Sequence, residues 1–111
     1  MSRIDWDDVV STPMPAENGT VTRQFVHGEQ MTVAKITFSA GASLPAHRHH
    51  NEQFTMVLSG RMEFMIDGQI VEIAAGEAVH LKSEVFHGAR ALEDSTLLDM
   101  FAPPRTDWKV Q

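Results

Sequence analysis

Residues 41–60 read GASLPAHRHHNEQFTMVLSG. Three histidines fall within four positions, an amide follows, and the run QFTMVLS at 53–59 closes on Gly60. That run is short, rich in β-branched and apolar residues and ended by glycine, which predicts a strand. Within it Phe54, Met56 and Leu58 share one side and Val57 takes the other, because successive side chains on a strand alternate. A sheet with one face in water does not read this way. Its outer face should be covered by a second subunit or by the N-terminal segment, and a homodimer is the expected arrangement.

The same pattern recurs outward from this stretch, in TVTRQFV (20–26), MTVAKITF (31–38), RMEFMI (61–66), IVEI (70–73), AVHL (78–81) and STLLDMF (95–101). Asp67-Gly68 between two of these runs predicts a tight hairpin, since glycine accepts a positive φ. HG, AAGE and LEDS mark other corners. Apart from IDWDDVV at 4–10, no stripe with a helical period is present, so the fold class is all-β. A chain of 111 residues suits one domain. Residues 1–17 are expected to form an N-terminal segment packing on the domain or on a partner subunit, and 18–111 to form the domain.

Composition narrows the chemistry. The chain has no cysteine, which removes disulfides, thiolate nucleophiles and zinc ribbons and leaves nitrogen and oxygen as the ligands for any metal. A net charge of −6 with no Lys/Arg run offers no footprint for nucleic acid or an anionic membrane surface. No apolar run reaches the roughly 20 residues of a membrane helix, and the start MSRIDWDDVV carries acidic residues and tryptophan where a secretory signal would be basic and then apolar. The expectation is a cytoplasmic protein with a small-molecule ligand. Seven methionines, Met56, Met62, Met65 and Met100 among them, read as adaptable core and interface filler.

On a strand, His47 and His49 present both imidazoles to one side while Arg48 and His50 face the other, an arrangement suited to a metal. If the register continues, Gln53 shares their parity and Glu52 does not. A bulge within HHNE would reverse that choice and make Glu52 the ligand. The stretch resembles the first cupin motif, G-x5-H-x-H-x3,4-E-x6-G, with Gly41, His47, His49 and Gly60 in register and Gln53 at the glutamate position. GEAVHLKSEVFH resembles the second, G-x5-P-x-G-x2-H, with Gly76 and His87 in register and Lys82 and Glu84 at its proline and second glycine. The resemblance implies a single-domain jelly-roll β-barrel or sandwich and makes His87 the third imidazole. A site of three imidazoles and one amide leaves the charge of a divalent ion uncompensated. That favours Lewis-acid isomerisation or hydrolysis over oxygen activation, with nickel, zinc, manganese, cobalt and iron all open as the one transition metal ion. His27, His50 and His80 read as structural or solvent-facing.

Near the end, Leu97, Asp99 and Phe101 share one strand face, so a carboxylate points among apolar groups. Pro103 and Pro104 then end the strand and leave Arg105 just past it, where it could clamp a carboxylate two-pronged. The plainer alternative pairs Asp99 with Arg90 or Arg105 as an internal salt bridge. The series Asp99, Phe101, Pro103, Arg105, Asp107 and Trp108 is similar to the ending of KdgF-type cupins, as are NGTVTRQF at 18–25 and the H-x-H-x3-Q spacing. Lys82 and Ser83 depart from that group. The resemblance implies a metal held by His47, His49, Gln53 and His87. It also gives Asp99, Phe101 and Arg105 roles in catalysis and implies a small carboxylated sugar, a 4,5-unsaturated monouronate, as substrate. An oxygen-using cupin, a sugar-binding or regulatory cupin without turnover, and a jelly-roll protein whose histidines hold a metal only for stability are the rival readings.

Overall fold

The computed structural model describes residues 2–109, so Met1, Val110 and Gln111, the outermost residues of the expected segment and domain, lie outside the described residues. Ten strands follow in order: β1 Thr12–Met14, β2 Val21–His27, β3 Thr32–Phe38, β4 Ser43–His47, β5 Glu52–Ser59, β6 Arg61–Ile66, β7 Gln69–Ala74, β8 Ala78–Leu81, β9 His87–Ala91 and β10 Ser95–Ala102. They form two antiparallel sheets, one ordered β1-β2-β3-β10-β5-β8 and the other β4-β9-β6-β7. Among the described residues there is no α-helix, and none long and apolar enough to cross a membrane. The IDWDDVV run gives only a 3-10 turn at Trp6–Asp8.

All seven expected runs are strands, with ends within one residue of the expected ones. The three not read have weak local signals. β1 and β4 contain Pro13 and Pro45, and β9, HGARA, contains Gly88 and two alanines, all poor intrinsic strand formers. Pairing to neighbours makes them strands. Asp67 and Gly68 have φ 49° and 83°, the two positive values that a tight hairpin turn requires. Gly60 has φ 89°, and a Cβ there would come within 2.2 Å of Ser95 Oγ and 2.4 Å of the Asp94 carbonyl. The first motif therefore has to end on glycine.

The inward faces of the two sheets enclose the core, built from Ile36, Phe38, Val57, Met62, Phe64, Leu97 and Phe101. Burial of each such side chain contributes about 1.5–3 kcal/mol. The N-terminal segment adds β1 to the edge beside β2, where Gln24 Nε2 donates to the carbonyls of Trp6 and Val9 at 2.6 and 3.0 Å. Phe54, Met56 and Leu58 on the outer face of β5 remain 47%, 38% and 48% exposed. Of the two expected covers for that face, the N-terminal segment is thus not the one.

Candidate metal centre and active site

His47 is the last residue of β4, and its Cα partner across the ladder is His87, the first residue of β9. β4 ends there, so His49 lies beyond it in the turn that leads to β5. The expectation that one strand carries His47, His49 and Gln53 is therefore corrected: strand structure is interrupted at 48–51 and Gln53 belongs to β5. The convergence holds nonetheless. His47, His49 and His87 each offer a nitrogen within 4.8 Å of the others, and their ring centroids lie 4.5 to 5.6 Å apart. The loop of the second motif is fastened to the first. Glu84 N–H donates to the His49 carbonyl at 2.8 Å and Ser83 Oγ to the His50 carbonyl at 2.7 Å. Glu84 adopts φ 67°, so the turn survives with glutamate where the motif has glycine.

Backbone carbonyls set the tautomers. Nδ1 of His47, His49 and His87 meets the carbonyls of Pro45, Asn51 and Val85 at 3.0, 2.9 and 2.9 Å. A carbonyl can only accept, so each Nδ1 carries the proton and each Nε2 keeps a lone pair. Burial depresses His87 to about 4. Burial and then Arg105 also depress His49. Both rings are neutral at pH 7 and need lose no proton before binding a cation.

Gln53 is 6% exposed and turned inward, whereas Glu52 faces outward with its Oε2 2.7 Å from His80 Nε2. The parity argument thus selected the inward side chain although its premise of one continuous strand failed. The carboxamide orientation follows from its neighbours, because Gln53 Nε2 donates to Thr55 Oγ1 at 2.8 Å and Oε1 lies 3.2 Å from His49 Nε2. Oxygen and nitrogen both present lone pairs there with no proton between them, a contact that a shared cation relieves. Three Nε2 lone pairs and one amide oxygen therefore fit a borderline divalent ion.

Beside this cluster lies a cavity of about 60 Å³ lined by His47, Gln53, His87, Asp99, Phe101 and Arg105 among others. Leu97, Asp99 and Phe101 alternate inward along β10 as expected, 2%, 8% and 2% exposed. Asp99 pairs with neither arginine. Its Oδ1 accepts from Thr55 Oγ1 at 2.7 Å, while Arg90 meets Glu63 and Arg105 meets Asp107. Burial pushes the Asp99 carboxyl up to about 7 against the opposing pull of the Thr55 bond and the Arg105 charge.

Arg105 is 8% exposed, with its guanidinium carbon 4.8 Å from the Phe101 ring centroid and 4.3 Å from that of Trp108. Its Nε and Nη2 bond the two Asp107 oxygens at 3.0 and 2.9 Å. Two of the guanidinium nitrogens that a two-pronged clamp could use are thus held by the chain's own carboxylate, which leaves Nη1 without a bond to Asp107. Sequence reasoning did not single out Asn51, Thr55 or Thr32, all buried. Asn51 Nδ2 donates to the Pro103 and Pro104 carbonyls at 2.6 and 3.3 Å, and Thr32 Oγ1 accepts from Arg105 N–H at 2.9 Å. Thr55 was within reach of the period-two argument that found Gln53. His27, read as part of a turn, is the last residue of β2, and its rings nitrogens meet Thr32 Oγ1 and the Trp108 carbonyl at 2.7 and 3.0 Å. His80 stacks on Phe54, and His50 is exposed.

Two antiparallel sheets carrying three histidines positioned to bind a metal at one end define a β-sandwich of the metal-site type. The chain belongs to the cupin family: the model for the cupin domain matches residues 34–101. The pectin degradation protein KdgF of Dickeya dadantii is 28% identical over 111 residues, covering 97% of this chain and 99% of that protein. H2HPP isomerase of Bacillus subtilis is 34% identical over 67 residues, 59% of this chain and 28% of that protein, so the chain spans little more than a quarter of that relative. Among solved structures, KdgF from Halomonas sp. superposes with a TM-score of 0.77 at 29% identity, covering 86% of this chain and 89% of that one.

Proposed function

We propose that this cupin is a metal-dependent isomerase that converts 4,5-unsaturated monouronates, the sugars that lyases release from pectin or alginate, into linear keto forms. The observation that carries the reading is a carboxyl, Asp99, held at about 7 on the wall of the same cavity that His47, Gln53, His87 and Arg105 line. Likeness to KdgF along nearly the whole chain supports it. A divalent ion held by His47, His49, Gln53 and His87 would act as a Lewis acid toward the substrate's oxygens.

The substrate is an enol ether closed as a hemiacetal. Opening the ring moves the hemiacetal hydroxyl proton and leaves an aldehyde and an enol. Ketonisation then transfers one proton to carbon, so atoms and electrons balance as an isomerisation. Asp99, with a carboxyl near neutrality, accepts and returns that proton. Arg105 offers its Nη1 side to the sugar carboxylate, and Phe101 keeps one wall of the cavity apolar. Water-poor surroundings strengthen the attraction between Arg105 and that carboxylate.

The test is to incubate the metal-loaded protein anaerobically with freshly made unsaturated galacturonate and guluronate and to follow loss of the enol's ultraviolet absorbance. Turnover with zinc or nickel under those conditions supports the isomerase. A requirement for iron and oxygen would establish the oxygen-using rival, and saturable binding without product the binding module.

The same proposal places the protein in the cytoplasm as a homodimer joined over the outer face of β5 and β10. Lys35, Leu98 and Met56 lie in one cross-strand row there, with Glu52 on the opposite flank from Lys35. A two-fold pairing would bury this apolar stripe against its own copy.

A further inference from the structure

Thr55 is fully buried, 0% exposed. It lies two residues beyond Gln53 on β5 and directly opposite Asp99 on β10. Strand periodicity therefore points it into the site beside Gln53, and the β5–β10 register brings its hydroxyl to Asp99. A hydroxyl has one proton to give. Asp99 Oδ1, as a carboxylate oxygen, takes it at 2.7 Å, and the Thr55 oxygen lone pair receives the Gln53 Nε2 proton at 2.8 Å. The chain of donors runs one way, from carboxamide through hydroxyl to carboxylate. It turns Gln53 Oε1 toward His49 and occupies one of the two Asp99 oxygens. Among the described residues no buried side-chain polar atom lacks a partner.

We propose that Thr55 is a positioning residue joining the metal half of the site to the acid–base half: its hydroxyl decides which atom of Gln53 faces the imidazoles and which oxygen of Asp99 faces the cavity. The Asp99 half rests on the isomerase reading, whereas the Gln53 half rests on the donor geometry alone. Thr55→Val keeps the shape of the side chain and removes both bonds, and Thr55→Ser keeps the hydroxyl.

The first measurement is affinity for Zn²⁺ and Ni²⁺ by competition with a chromophoric chelator, without substrate. Thr55→Val should bind roughly 10- to 100-fold more weakly, the usual loss on removing a group that orients a metal ligand, while Thr55→Ser stays close to the parent. Parental affinity in Thr55→Val, or equal weakening in Thr55→Ser, would overturn the proposal, because the hydroxyl would then not be what matters. The second measurement uses the parent protein and does not depend on a variant folding. In its zinc form the Gln53 side-chain NH₂ should give slowly exchanging proton signals with a nuclear Overhauser contact to Thr55, and rapid averaging of that amide would refute the assignment. With metal saturating, Thr55→Val should lose at least tenfold in kcat on unsaturated uronate with KM little changed. An unchanged kcat would remove the Asp99 half. Should the metal and amide results come out as expected while no form of the protein consumes uronates, the substrate assignment falls and the Asp99 half with it, while the Gln53 half stands.

Discussion

The carboxyl of Asp99 titrates at about 7 because it lies buried on an inward face of β10 among apolar groups. That value suits a group that must both take and return a proton near neutral pH. Asp99→Asn should keep its metal in the chelator competition and lose most turnover in the absorbance assay. The same shift has a cost in the metal-free protein. The folded carboxyl binds its proton up to about 7 and the unfolded one only to its ordinary value near 4. The native state thus holds more protons across that window, and stability falls as pH rises from about 4 to about 7. Urea unfolding at pH 5 and pH 8 should show the parent losing ground to Asp99→Asn by on the order of a few kcal/mol; a parent that gains instead would contradict a buried, protonated carboxyl. His87, held at about 4, acts in the opposite sense, adding stability as pH rises from about 4 to about 6.5. Glu84 occupies the left-handed region at φ 67°, which costs a side chain roughly 1 kcal/mol. Glu84→Gly should therefore raise the urea midpoint by up to about 0.5–1 kcal/mol in stability with the slope unchanged.

Two turns and one terminal segment bring the strands' contributions together. The turn at 48–51 gives His49 its Nδ1 acceptor, the Asn51 carbonyl, and sends the Asn51 side chain to the Pro103 and Pro104 carbonyls. One buried residue therefore connects a metal-site histidine to the start of the segment that bears Arg105. Farther along, Thr32 and His27 hold that segment by Arg105 N–H and the Trp108 carbonyl, while Trp108 packs on Phe25 and Phe101. Asn51→Ala leaves two carbonyls short of a partner and should cost about 1–3 kcal/mol. It should also raise KM through Arg105 and weaken metal binding through His49. Loss of stability in urea with both functional parameters intact would mean that the segment holds its place without Asn51.

The two sheets share a core and carry the candidate metal site only at one end, so a bound ion should stabilise the fold without being required for it. A saturating ion at 100 times its Kd adds roughly 2.7 kcal/mol, seen as a rise in Tm that chelator reverses while the circular dichroism of the β-sheets persists. Complete unfolding on chelation would make the metal structural instead. The outer face of β5 presents Phe54, Met56 and Leu58 to solvent in a single chain. Met56→Lys should shift sedimentation from dimer to monomer with the uronate assay little affected. A parent that sediments as a monomer at all concentrations would refute the pairing.

Much of this molecule is legible in local pattern. Period-two alternation, the Asp67-Gly68 turn and the glycine-bounded runs specify seven strands, because such signals depend only on neighbouring residues. Imidazole spacing picks out His47 and His49, and strand alternation the inward triad Leu97, Asp99 and Phe101, for the same reason, whereas His87 comes from the resemblance to the second motif. Strands β1, β4 and β9 were not legible, since Pro13, Pro45 and Gly88 oppose a strand and only cross-strand pairing imposes one. Nor could the spacing show that His49 leaves the strand, that Asp107 takes the Arg105 fork, or that the Thr55 hydroxyl donates a hydrogen bond to Asp99. Each of those depends on groups far apart along the chain, 44 residues for Thr55 and Asp99, whose meeting is decided by how the sheets register and close.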